Sequence, residues 1–173
     1  MRRALLLTAV IVTALLLQTT VFADVKLLGA RPELMYLVTI VFAMVEGPSS
    51  GAIAGFAGGM AQDFLMNEPK GITALTLTLL GYVIGLARQY IVSPSPLLPV
   101  VLVAAGTFVG VLFNRFVAFL LGQLDTSALY VLRVAVLSAV YNAILTPLLH
   151  PVLRRVAEGS RSRKVVRWWR PRD

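Results

Sequence analysis

The sequence predicts an all-α membrane protein, a bundle of six transmembrane helices. Three observations carry this. Six apolar segments of helix length follow one another along 173 residues. Hydrophobic residues make up 58% of the chain and charged ones only 14%, whereas a soluble domain carries about a quarter charged residues to cover its surface. Glycines recur four apart within the segments, the spacing that lines one face of a helix and lets another backbone come close.

The spans fall at 4–23, 33–45, 48–66, 71–90, 97–121 and 128–149. Five are near the ~20 residues that cross ~30 Å of hydrocarbon. The first also has the form of a secretory signal, with Arg2 and Arg3 ahead of it and Val21-Phe22-Ala23 as a small-residue cleavage site. Retention is the expectation, because removal leaves five spans and inverts the charge balance below. The second span is short. At ~1.5 Å per residue it reaches only about 20 Å, so neighbours must shield it, the bilayer must thin, or it spans incompletely. Gly47-Pro48, Asn67-Glu68-Pro69-Lys70-Gly71 and Ser93-Pro94-Ser95-Pro96 mark the turns. Residues 1–153 form one membrane domain, and 154–173 a basic tail.

Charge sets the topology. The net charge is +8, and eight of the sixteen Lys and Arg lie beyond Leu153. With six spans, one side holds Arg2, Arg3, Arg88 and the tail, eleven basic residues; the other holds Lys26, Arg31 and Lys70. The positive-inside rule then places both termini in the cytoplasm. The tail residues Arg161, Arg163, Lys164, Arg167, Arg170 and Arg172, with Trp168 and Trp169 at headgroup level, suit an anionic leaflet at about 1 kcal/mol per basic residue. Nucleic-acid binding needs more than charge, and no such partner is expected.

Within the spans, Gly51, Gly55 and Gly59 form a groove on the third helix. Gly81 with Gly85 and Gly106 with Gly110 add close-packing pairs on the fourth and fifth. The expectation is that the third-helix face receives a partner's transmembrane helix. Asp63 lies beside that groove, about one turn from the external surface, and Arg115 and Arg133 sit at similar depth. An intramembrane cluster in which Asp63 neutralises Arg115 or Arg133 is expected; the plainer alternative is that each arginine reaches the headgroups by itself. Glu46 and Arg88 end the second and fourth segments and are placed to pair at the cytoplasmic interface.

Other chemistry is thin. The chain lacks cysteine, which excludes disulfides and thiolate metal sites. The single histidine, His150, reads as an interfacial helix-end residue rather than a ligand. There is no nucleophile elbow, phosphate loop or pair of carboxylates at a workable spacing. An enzyme is not expected, and neither a cofactor nor a metal is called for.

These residues resemble a known family, the rod shape-determining membrane protein MreD. The likeness runs to Leu153 and is strongest at Leu17-Gln18-Thr19-Thr20, at Gly47-Pro48…Gly51…Gly55…Gly59…Gln62-Asp63, and at Gly71…Ala74-Leu75…Gly81-Tyr82…Gly85. The resemblance implies a non-enzymatic inner-membrane component of the bacterial cell-elongation machinery. Such a protein binds the bitopic scaffold MreC and acts with the actin homologue MreB, the glycosyltransferase RodA and a class B penicillin-binding transpeptidase in lateral peptidoglycan synthesis. It also implies a fold similar to the substrate-binding subunits of energy-coupling-factor vitamin transporters. The alternative reading is such a subunit, with Asp63, Arg115 and Arg133 lining an outward pocket. The arginine-rich tail extends beyond the shared pattern. Neutralising Arg167, Arg170 and Arg172 should weaken association with anionic liposomes in a salt-sensitive way; salt-insensitive association contradicts lipid docking.

Overall fold

A computed structural model describes residues 2–20, 32–66, 71–90, 97–122 and 127–160, and the regular structure among them is all helical. Six α-helices follow in order among the described residues: α1 (Arg2–Thr20), α2 (Leu34–Glu46), α3 (Pro48–Leu65), α4 (Ile72–Ala87), α5 (Leu98–Leu120) and α6 (Ala128–Ser160). A short 3-10 turn, Arg88–Tyr90, extends α4. The basic tail residues Arg161, Arg163, Lys164, Arg167, Trp168, Trp169, Arg170 and Arg172 lie outside the described residues.

The short helix is the centre of the bundle. α2 has 13 residues, and every one from Leu34 to Ala43 is buried. It touches each of the other five helices. A helix that is hydrophobic all round belongs inside a protein, and this one is shielded by neighbours, the first of the three possibilities its length left open.

The neighbours pack on α2 because glycines let them. Gly47 turns the chain from α2 into α3 at φ 101°, a backbone conformation that suits glycine, and Pro48 opens α3 where its missing N–H costs nothing. α3 then returns antiparallel to α2: a Cβ on Gly51 would stand 2.5 Å from Ala43 Cβ. α4 runs back against α3 in equally tight register. Cβ atoms on Gly51 and Gly59 would stand 2.6 Å from Gly81 O and Ala74 Cα respectively, and one on Gly55 would strike the Leu77 carbonyl. From the other side, Gly81 meets the Gly51 backbone and Gly85 meets Pro48. The groove expected to take a partner's helix is therefore filled by this chain's own α4. Gly106 and Gly110 of α5 are also turned inward, where a Cβ would stand 2.7 Å from Ile40 Cδ1 and 2.5 Å from Tyr36 Cε1 of α2.

Among the described residues, α5 and α6 are the two helices long and apolar enough by themselves to cross a membrane, at Leu98–Leu120 and Ala128–Ala157. Only 28% and 22% of their most apolar stretches are buried, so they present hydrocarbon outward instead of into a core. The rest of the outer surface matches: Leu5, Ile53, Val83 and Ile144 are all exposed. α6 runs past the expected end at residue 149 to Ser160, through Pro147 and Pro151. These two prolines stand four apart on one exposed face, and the far side keeps its contacts through buried Leu153 and Ala157. The end of α6 packs beside the start of α1, where Leu6, Val10, Val152 and Val156 line one groove, so the two terminal helices share an end of the bundle.

Gly55→Ala should lower stability by about 2 kcal/mol, overpacking outweighing the better helix propensity of alanine. Ile53→Ala, on the exposed side of the same helix, should stay within about 0.5 kcal/mol of the parent. Thermal unfolding in detergent checks both.

Candidate functional site: a polar core joining six helices

The end of the bundle where α2 begins collects the buried polar groups. Glu33 stands at the N-cap position of α2, where the exposed N–H groups of a helix start favour negative charge. Its carboxylate oxygen Oε2 accepts from two side-chain amides, Gln62 Nε2 of α3 at 3.2 Å and Gln18 Nε2 of α1 at 3.4 Å. Both glutamines are buried. From α6, Asn142 Nδ2 donates to the Glu33 backbone carbonyl at 2.9 Å and to Thr107 Oγ1 of α5 at 3.0 Å. Asn114 Nδ2 of α5 donates to Thr73 Oγ1 of α4 at 3.3 Å. One hydrogen-bonded region thus takes a side chain from every helix. In hydrocarbon this is where such groups must go, since an unpaired polar group there costs several kcal/mol.

A small pocket lies in this region, lined by Glu33, Tyr36, Gln62, Thr73, Val111, Asn114, Arg115 and Val134. It encloses about 20 Å³, room for one water molecule. Gln62 Oε1 is a buried acceptor with no protein partner, and a water there would find partners in it, in Glu33 and in Arg115. Arg115 and Glu33 thus line the same pocket.

Asp63 has a different task from the one expected. Its Oδ2 accepts from the backbone N–H of Gly71 at 2.8 Å and of Ala74 at 3.3 Å. These are donors of the first turn of α4, which have no partner inside the helix, so a carboxylate from the end of α3 caps the start of α4. Gly71, at φ 100°, makes the turn that brings them together. Asp63 is wholly buried. The anticipated ion cluster is not assembled: Asp63 binds backbone, Arg115 faces the polar pocket, and Arg133 projects from the exposed face of α6 among Leu129, Leu132, Val136 and Leu137. Among the described residues no group of three acidic or histidine side chains is placed to hold a metal ion. At the other end, Arg88 directs its hydrogen bond to the Val45 carbonyl at 2.6 Å, binding the last turn of α2 where a pair with Glu46 was expected.

Neither Glu33, at the edge of a short span, nor Asn142, inside an apolar run, is singled out by any motif in the sequence. The usable signal was the same for both, a polar side chain inside or at the lip of hydrocarbon.

The family profile described as rod shape-determining protein MreD matches residues 1–156. The chain belongs to the MreD family. The match takes in all six helices up to the last turn of α6. MreD-family membership makes this a membrane protein of cell-shape determination, in a family known for shape and not for catalysis. Comparison with curated proteins and with solved structures finds no match.

Glu33→Ala should cost about 1–3 kcal/mol for each of the Gln18 and Gln62 donors it strands. Asp63→Ala should cost about 1–2 kcal/mol as a lost cap. A double-mutant cycle between Asp63 and Arg133 should show coupling below about 0.5 kcal/mol. Coupling well above that would restore the ion cluster.

Proposed function

We propose that this MreD-family chain is a non-enzymatic scaffold in the bacterial inner membrane. It binds an MreC-type bitopic protein and, through it, organises MreB, RodA and a class B penicillin-binding protein for lateral peptidoglycan synthesis. The observation that carries this reading is the family match over residues 1–156. The interior speaks for the same role. It is occupied by α2 and by hydrogen bonds that tie six helices into one body, as suits a platform that others dock on.

In this reading all six helices cross the bilayer with both ends in the cytoplasm. The support is the eleven-to-three distribution of basic loop residues and the meeting of the first and last helices at one end. The partner's transmembrane helix meets an outer surface of the bundle, since the glycine seam is taken.

The alternative, a substrate-binding subunit similar in fold to those of energy-coupling-factor transporters, asks for a site of vitamin size. Small-molecule sites run to about 300–1,000 Å³ with convergent polar groups. The pocket lined by Glu33 and Arg115 encloses about 20 Å³. Among the described residues, the larger hollows, about 320 and 470 Å³ beside α1 and about 310 Å³ around Arg133, are walled almost wholly by aliphatic side chains. The scaffold reading is favoured.

A mild-detergent pull-down from the native cell should recover an MreC-type protein with this chain. Recovery of a transporter's energising subunits, or thermal stabilisation by a vitamin, would favour the alternative and contradict the scaffold.

A further inference from the structure

Arg133 lies within a span and outside the polar core. It is exposed on the outer side of α6, and the shallow hollow around it, about 310 Å³, is otherwise lined by Leu129, Leu132, Val136 and Leu137. A guanidinium stays charged under all ordinary conditions. On a surface that faces hydrocarbon it must therefore hold an anion or reach water.

The helix geometry says which way it reaches. Side chains on a helix tilt toward its N-terminus. Arg133 lies five residues into α6, so its backbone is only about 8 Å from the start of the helix and its side chain points back toward the nearer membrane surface. The positive end of the α6 dipole lies in that direction too. Tyr130, one helical turn earlier at i, i+3 spacing, is also exposed, and its hydroxyl is a second donor within reach of the same headgroup. Arg115 makes the contrast: at comparable depth in α5, it is turned inward to the polar pocket.

We infer that this face of α6 is a binding site for a bilayer phospholipid. The Arg133 guanidinium holds the phosphodiester through its two-pronged donor fork, Tyr130 adds a hydroxyl, and an acyl chain lies along Leu132, Val136 and Leu137. The guanidinium reaches back to the membrane surface, where every headgroup already offers a phosphate, whereas the aliphatic hollow below it offers an acyl chain a bed and a partner's carboxylate nothing. The inference rests on α6 as a membrane span and is independent of the scaffold role. A lipid held here would form part of the surface that α6 shows to other membrane proteins.

The test uses the full chain in phosphatidylglycerol nanodiscs containing a trace of phosphatidylglycerol with a photoreactive headgroup. Illumination should label the stretch 127–136. Arg133→Gln, checked by thermal unfolding to be folded, should reduce that label about tenfold, the loss of one charge-assisted contact, and Arg133→Lys should retain most of it. Equal labelling of Arg133→Gln overturns the inference. So does wild-type label that falls elsewhere on the chain, a readout that needs no variant to fold. A protein that co-purifies through Arg133, with lipid labelling unchanged by its loss, would assign the face to a protein partner instead.

Discussion

Backbone meeting backbone along α3 and α4 is the contact on which the rest of this fold depends. Five glycines, Gly51, Gly55, Gly59, Gly81 and Gly85, remove the side chains that would hold the two helices apart. Lipid tails are as apolar as leucine, so association inside a membrane draws on close van der Waals packing and hydrogen bonds more than on the hydrophobic effect. The seam supplies that packing. It also places α4 and α3 together as one wall, against which the short α2 is held at the centre.

The second constraint is polar. A bundle in hydrocarbon must find partners for its own polar groups, and this chain does so with few side chains doing double duty. Asn142 binds both the Glu33 carbonyl and Thr107, and the Glu33 carboxylate receives two amides. Asp63 finishes α4 by capping its first turn from the preceding helix. The seam and the polar region reinforce one another, because the α3–α4 register that lays Gly59 on Ala74 is also the register that brings Asp63 to the Ala74 amide.

Much of this was legible in the sequence, and what was not has physical reasons. Hydropathy and turn residues give the order of the helices, and the four-residue glycine spacing correctly marks where backbones come close. What spacing cannot tell is whose backbone arrives; α4 is the next helix along the chain, only a few residues after α3, and it fills the groove. The pairing of Asp63 with an arginine was inferred from depth alone. Depth fixes a residue along the membrane normal and leaves its direction around the helix free, and that direction separates Arg115 from Arg133. Glu33 was hidden for a different reason. Its role comes from long-range meetings with Gln18, Gln62 and Asn142, and no local pattern encodes them.

For this MreD-family protein the consequence is that the interior holds the bundle together, and the glycine seam is taken up in doing so. The most direct test of the central claim is a nuclear Overhauser measurement on the protein purified alone, with glycine labelled. The account predicts cross-peaks from the Gly55 Hα protons to the Thr78 amide, whose nitrogen would stand 2.9 Å from a Cβ placed on Gly55. Absence of that contact, with Gly55 open until a partner's helix is added, would contradict it.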